Sequence, residues 1–585
     1  MDSRVAGMTA VALALAAITG CYVGLPDGAA ASGGAGADGD GGGLESGGES
    51  GEPVDPRMYY TCDDEQRQQR GLSFAQMRRL SSTELRYTLT RLLGAELVAD
   101  PEIDGRLAAL PVDATVLAGD FAIDPPVGLA LALSGVAKRA AEVGLADPQW
   151  VQQQLPVCVG AGQLDEACAA AVATELGAKI WRRDLRDDEI ADYVAWFVES
   201  GGGAEGMEYL LRRLLQAPSL VFHLEYGTEE TDGDRVHLTQ FEVASRVSYF
   251  AIDDMPDEEL FAAARAGELD SVDAIEQHVR RLMGQQLAGP KVHDFFRYYA
   301  KLTSVADPLP EVAALGGIAD VEGLGAQMQA EAYEFFEHVV WREDDFATLM
   351  GSTAAFPRSD TLAQVFGTEV ASGDTPVDAA QHRGLLHRPA MLASAGARTS
   401  PILRGAHIRK LLLCDELGLP DPAAVMARQD ELGDLDQLSN RDKVTLLTDA
   451  GACAGCHGVI NGLGFAFEGY DQVGMPRTTE QLLDPDGNVQ NSWPIDTHVE
   501  EPRIEEGGPE AIDGSGAFVD AMVESYKARA CFSRRVLEYY RMRRVDAKVD
   551  GCALLTMEQR SHDDSLLEVF VAAIANDDIF WKHVP

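Results

Sequence analysis

Ser81-Ser82-Thr83-Glu84-Leu85-Arg86-Tyr87-Thr88-Leu89-Thr90-Arg91-Leu92-Leu93-Gly94 reads as one complete helix. Ser81-Ser82-Thr83-Glu84 is a capping box, in which a hydroxyl and a carboxylate each satisfy a backbone N–H of the first turn. Leu85, Leu89, Leu92 and Leu93 recur at the three- and four-residue spacing of one helix face, and Gly94 supplies the stop. Thr239-Gln240-Phe241-Glu242 repeats the device, with Phe241, Ala244, Val247 and Phe250 on or near one face. Amphipathic segments are expected over 167–183, 187–199, 208–216, 257–266, 273–283, 327–340, 404–414 and 531–543. The pairs Phe295-Phe296, Tyr298-Tyr299 and Phe335-Phe336 read as core. Strand-like alternation is rare, so the patterning predicts a mostly α, multi-domain helical protein.

One pentapeptide on this helical background names a cofactor. Cys453-Ala454-Gly455-Cys456-His457 places two thiols three positions apart with a histidine directly after. That is the arrangement in which both thiols add to the vinyl groups of haem and the imidazole binds iron as proximal ligand. Nine Cys and twelve His in 585 residues would produce about 0.003 such pentapeptides by chance, so coincidence is a poor account. A zinc site would need a fourth Cys or His ligand nearby, and a thioredoxin-like dithiol would need a βαβ context. There is no second Cys-x-x-Cys and no βαβ patterning. The reading is one covalent haem c per chain, on Cys453, Cys456 and His457, in a C-terminal cytochrome c-like module.

Haem c attachment takes place outside the bacterial cytoplasm, and the N-terminus reads as an export signal. Met1-Asp2-Ser3-Arg4 precedes an apolar run over 5–18, too short to span a bilayer as a mature helix. Ile18-Thr19-Gly20-Cys21 then gives a lipoprotein cleavage site, with Cys21 as the lipidated first residue of the mature chain. Tyr22, not Asp, follows Cys21, which favours the outer membrane. Residues 22–56 hold no Lys or Arg, 12 Gly and seven acidic residues, a composition that buries no core and reads as a flexible tether. The expected location is the cell envelope, facing the periplasm or the cell surface, held to the membrane by the lipid.

The formal charge is −46, from 94 Asp and Glu against 48 Lys and Arg. Such a field argues against nucleic acid or anionic lipid surfaces as partners and favours a basic partner, and high-salt adaptation would give the same balance. Setting aside Cys21, Cys453 and Cys456, six cysteines remain, an even number that suggests disulfides in an oxidising compartment. Cys158 with Cys168 and Cys531 with Cys552 are near neighbours in sequence and read as local staples, leaving Cys62 with Cys414.

Several short stretches carry a resemblance. Arg78-Arg79-Leu80-Ser81-Ser82-Thr83-Glu84-Leu85-Arg86-Tyr87 resembles the opening module of large exported bacterial proteins built from domains of unknown function with one c-type haem site, the planctomycete-type cytochrome family. Thr239 to Phe250, with Met255-Pro256-Asp257-Glu258-Glu259-Leu260, resembles its central module. Arg383-Gly384-Leu385-Leu386, Thr399-Ser400-Pro401, Arg404-Gly405 and Leu413-Cys414 resemble the start of the haem module. Cys453 to His457, Gly462-Leu463-Gly464-Phe465-Ala466-Phe467-Glu468 and Asp471 complete it, and Cys531 to Arg543 resembles the last module. The chain departs by carrying Asn461-Gly462 where the family has Asp-Pro and Met542 where it has Gly; neither departure is expected to touch haem attachment. The modules are expected at 1–20 (signal peptide), 21–56 (lipidated Cys21 and tether), 57–125 (N-terminal helical), 126–230 (helical, with Cys158 and Cys168), 231–380 (central helical), 381–505 (haem c-binding) and 506–585 (C-terminal helical).

The sixth iron ligand decides what the haem does. Met475, in a Gly-Met-Pro turn 18 residues after His457, is a weak distal candidate whose simpler reading is a surface turn residue. Met522, Met542, Met557, His498, His387 and Met391 are others, with Met522 read as core and His387 as polar surface. Asp253-Asp254 and Asp344-Asp345 read as solvated loop charges, and no hydrolase or phosphate-binding motif is present. The expectation is an electron-transfer haem protein rather than an enzyme with its own substrate. An envelope binding or scaffold protein with structural or sensory haem, and a peroxidase-like haem enzyme, are the alternatives.

Overall fold

The structure, a computed structural model, describes residues 22–23, 58–63, 66, 78–110, 127–159, 164–418, 422–484 and 487–583. It is mostly α, and its strands are short and form two- and three-stranded ladders among the described residues. The chain divides into two units: Asp63–Lys291 with Leu537–Ala553 and Phe570–Pro585, and Met1–Cys62 with Val292–Val536 and Leu554–Val569.

The first unit opens with α1 (Ser82–Leu93), where both capping-box bonds form: Glu84 N–H donates to Ser81 Oγ at 3.0 Å and Ser81 N–H to Glu84 Oε2 at 2.7 Å. Gly94 ends the helix at φ +86°, a backbone state open to glycine. Helices α2 (Val127–Ala146), α3 (Glu166–Trp181), α4 (Asp187–Glu199) and α5 (Gly203–Leu214) pack with α1 around Leu85, Leu89, Leu92, Leu133, Val172 and Leu210. Thr239 and Glu242 likewise cap α6 (Gln240–Ile252), which is buried along most of its length. The Arg246 guanidinium on α6 donates to the carbonyls of Ile579 and Trp581, and strand Trp581–His583 pairs with Arg235–His237.

Asp253 and Asp254 correct the expectation of solvated loop charges. Both are buried: Asp253 is paired with Lys291, and Asp254 is bonded to Arg91 Nε at 2.6 Å. Burial raises both carboxyl pKa values against the pull of the neighbouring cations. Asp345, by contrast, is an exposed helix cap that accepts from Thr348 N–H.

In the second unit, α7 (Leu324–Trp341) buries Phe335 and Phe336 fully, and Phe336 stacks on Phe296 at 4.3 Å. Glu331 on the same helix pairs with Arg388 at 2.9 Å with neither side chain exposed. Helix α8 (Pro401–His407) follows, then α9 (Asn440–Thr448), α10 (Ala452–Phe465), α11 (Gly514–Glu524) and α12 (Tyr526–Arg541). The helix expected over 404–414 is α only as far as His407; Ile408–Leu412 forms a π turn, the wider winding that functional segments often carry. Strands Thr479–Leu483 and Val489–Pro494 make an antiparallel ladder that the sequence patterning did not reveal.

Cys158 and Cys168 are bonded, as expected. Cys531 is not paired with Cys552: it is bonded to Cys414, 117 residues away, and Cys62 and Cys552 are each disulfide-bonded as well. An ion pair joins the same two segments. Asp415, beside Cys414, accepts from Lys527 Nζ at 2.6 Å, and Lys527 lies one turn before Cys531 on the same face of α12. Tyr22 and Val23, at the head of the expected tether, pair with Leu417 and Glu416. The rest of the tether, the signal segment and Cys21 lie outside the described residues. Among the described residues no helix is long and apolar enough to cross a membrane.

Candidate functional site

Helix α10 carries the pentapeptide, and α8 holds α10 in place. The two helices cross at glycines: a Cβ on Gly405 would stand 2.0 Å from the Ile460 carbonyl oxygen, and one on Gly464 1.9 Å from that of Pro401. Only backbone fits there, so the helices approach more closely than side chains allow. Ala406 and Ile402 of α8 then cover Cys456, Val459 and Ile460.

Cys453, Cys456 and His457 stand at i, i+3 and i+4 and so share one face of α10. Both cysteines remain thiols; Cys456 is 8 % exposed and Cys453 is half-buried. His457 is half-buried too, and burial pushes its pKa below the ordinary value, so the ring is neutral at neutral pH. Its Nδ1 lies 3.0 Å from Asn461 Oδ1 on the next turn. Asn461 Nδ2 donates to Thr448 Oγ1 at 2.8 Å, and the Thr448 hydroxyl donates to the Val444 carbonyl at 2.7 Å. Asn461, one of the two positions at which the chain departs from the resembled pattern, is the residue bonded to the ring.

The scattered motif residues converge on Glu468, just past α10. Thr399 Oγ1 donates to its Oε2 at 2.7 Å, Asn440 Nδ2 at 3.2 Å and Arg477 at 3.3 Å, while Arg404 lies 3.5 Å from Oε1. The stretches Thr399-Ser400-Pro401, Arg404-Gly405 and Phe467-Glu468 are thus one buried cluster that fixes the end of α10 against α8 and the start of α9. Arg409, on the π turn, clamps the middle of α10: its Nε donates to the Val459 carbonyl at 3.0 Å, its Nη1 to Asp415 at 3.1 Å and its Nη2 to the Pro502 carbonyl at 2.7 Å. Asn440, Thr448 and Arg409 were missed in the sequence, and Asn461 was seen only as a departure from a pattern, because each role also depends on a partner in a different element that no local spacing encodes.

The candidate sixth ligands fall in several different surroundings. Met475 is half-buried, not a surface turn: its sulfur rests on Gly316, and it lines a cavity of about 390 Å³ with Asp471, Gln472 and Arg477, a lining that includes neither cysteine nor His457. Both nitrogens of His498 are engaged, by Asp513 at 2.6 Å and Glu500 at 3.1 Å. Met542 sulfur accepts from Arg78 at 2.8 Å within the first unit. Met522 and Met557 are core residues and Met391 is half-buried. His387, expected at the surface, is 1 % exposed; its Nδ1 accepts from Arg383 N–H at 3.2 Å, and it packs against Phe467 and Tyr470.

The residues present suit a covalent haem: two thiols outside disulfides, an imidazole with one nitrogen already bonded, and an apolar flank of Ile402, Ala406 and Val459. A tetrahedral zinc centre fits less well, since among the described residues no cluster of His, Cys, Asp and Glu has the geometry for a metal ion.

Comparison with known proteins gives two partial family matches. Residues 238–368 match the family model described as PSD4, protein of unknown function (DUF1592), and residues 382–480 match the one described as PSCyt3, protein of unknown function (DUF1588). The names point to planctomycete cytochrome-like domains, and the second match contains Cys453 to His457. No curated protein and no solved structure matches the chain.

Proposed function

We propose that the chain is an exported, lipid-anchored, c-type cytochrome-like protein that carries one haem on Cys453 and Cys456 and transfers electrons in the cell envelope. The observation that carries this reading is the sorting of thiols. Six described cysteines are in disulfides, and the two that stay as thiols are those that stand beside His457 on one helix face. Cys453 and Cys456 would hold the group covalently, and His457 would bind its iron through Nε2. When bound, haem supplies a one-electron couple. The protein's own contribution is to exclude water with Ile402, Ala406 and Val459 and to hold the imidazole in a fixed orientation. Cys21 would carry the lipid, and the surplus of acidic residues suits a basic redox partner.

Production of the full chain with a c-type maturation system tests the reading. Haem should stay on the polypeptide through acid-acetone extraction and a denaturing gel, and Cys453→Ser with Cys456→Ser should abolish it. A colourless wild-type product overturns the assignment. Palmitate-analogue label on wild type but not on Cys21→Ser supports the anchor; equal labelling of both removes it.

A further inference from the structure

We infer that Asn461, aimed by Thr448, is the positioning residue that sets the tautomer of His457 and points the Nε2 lone pair out of helix α10. The inference deepens the haem reading and rests on it for its consequence, but its structural content concerns this chain's own side chains.

The chain of hydrogen bonds starts at Val444. Thr448 has one hydroxyl proton, and that proton is committed to the Val444 carbonyl at 2.7 Å. Its Oγ1 can therefore only accept from Asn461, so the amide atom facing it at 2.8 Å has to be the NH2 group. The amide can then present only its carbonyl oxygen to the ring, 3.0 Å from His457 Nδ1. An oxygen acceptor needs a proton on Nδ1, and a neutral ring with that proton keeps its lone pair on Nε2.

A side chain four residues on would touch the histidine in any helix, and that contact alone would leave the amide free to turn over. Thr448 removes this freedom, because a flipped amide would set two acceptors against each other at Thr448 and two donors against each other at a ring protonated on Nδ1. Asn461 is 9 % exposed and Thr448 6 %, so water has little access to restore a partner. A metal-bound imidazole is oriented in this way by the bond its other nitrogen makes, and the acceptor's charge also tunes how strongly the ring donates. Asn461 offers a neutral acceptor. A carboxylate at that position would draw the Nδ1 proton more strongly and make the ring the better donor to iron.

The test uses the full chain with ring-¹⁵N histidine, His457 being assigned by its loss in His457→Gln. In the haem-free protein the wild type should show Nδ1 protonated. Asn461→Leu should shift His457 to the Nε2–H form, and Thr448→Val should give a mixture. In the haem-loaded protein Asn461→Asp should lower the midpoint potential relative to wild type, and Asn461→Leu should raise it, with haem still attached in both. An Nε2–H ring in wild type overturns the inference, as does a tautomer and a potential that no variant moves. Should Asn461→Leu fail to fold, Thr448→Val and Asn461→Asp decide the matter alone. Failure of wild type to attach haem would remove the proposed function, while the haem-free tautomer would still decide the role of Asn461.

Discussion

Gly464 and Pro401 meet backbone to backbone: a Cβ on the glycine would fall 1.9 Å from the proline carbonyl oxygen. This contact and that of Gly405 with Ile460 set the depth at which α8 seats on the helix carrying the thiols.

Gly464→Ala and Gly405→Ala should therefore destabilise the second unit by about 3 kcal/mol or more, the upper end of overpacking costs, because backbone cannot swing aside as a side chain can. Gly458→Ala, on the same helix with nothing within 4 Å, is the control. It should be neutral or gain up to about 1 kcal/mol of helix propensity. Denaturant unfolding of the three variants checks this, and equal midpoints would contradict the close crossing.

Non-reducing peptide maps should join Cys414 to Cys531 and Cys158 to Cys168, with no Cys531–Cys552 product. A loop on the order of 100 residues is worth about 4–5 kcal/mol by chain entropy, so Cys531→Ser should lower the unfolding midpoint far more than Cys168→Ser, whose loop is short.

Acid should weaken the fold through its buried histidines. Burial pulls His223 and His382 down to about 4 and His387 to about 3, the nearby Arg383 and Arg388 adding to the effect at His387. In the unfolded chain such rings titrate near 6.5, so between about pH 6.5 and 4 the unfolded state binds protons that the folded state refuses. Stability is full above that window and falls as pH drops through it, by up to about 3 kcal/mol per ring. His387→Gln keeps an acceptor for the Arg383 N–H and should make the acid limb of a stability curve shallower; an unchanged slope contradicts this.

Electron exchange with a basic mediator should slow as salt rises, since a charge of −46 steers cations over a Debye length of only about 10 Å at 0.1 M. Stopped-flow reduction at two ionic strengths reads this out. A haem that no mediator can cycle would return the protein to a structural or sensory role.

Helices were legible where their signals are local. Ser81 with Glu84, Thr239 with Glu242, and the apolar spacing after each marked α1 and α6, because capping and periodicity act within one or two turns. The core role of Phe295, Phe296, Phe335 and Phe336 followed from the same spacing. What escaped was set by distance in sequence. Cys414 and Cys531 lie 117 residues apart; Asp253 is buried against Lys291; His387 is enclosed by Phe467 and Tyr470. At the site, Cys453, Cys456 and His457 were plain from their spacing. Asn461 was visible only as a departure from a family pattern, and its purpose rests on Thr448, 13 residues earlier on another helix.

The disulfide between Cys414 and Cys531 also imposes an order on biogenesis. A chain that crosses a membrane from its N-terminus delivers Cys414 first, Cys453 and Cys456 next, and Cys531 last. During that interval the two cysteines that end outside disulfides are the nearest following partners in sequence for an unsatisfied Cys414. Eight thiols admit 105 complete pairings, and early oxidation here favours a wrong one. On the proposed haem reading, correct maturation requires that the pair at 453 and 456 be kept reduced or capped until the last cysteine emerges, and the timing of cofactor loading then becomes part of folding itself.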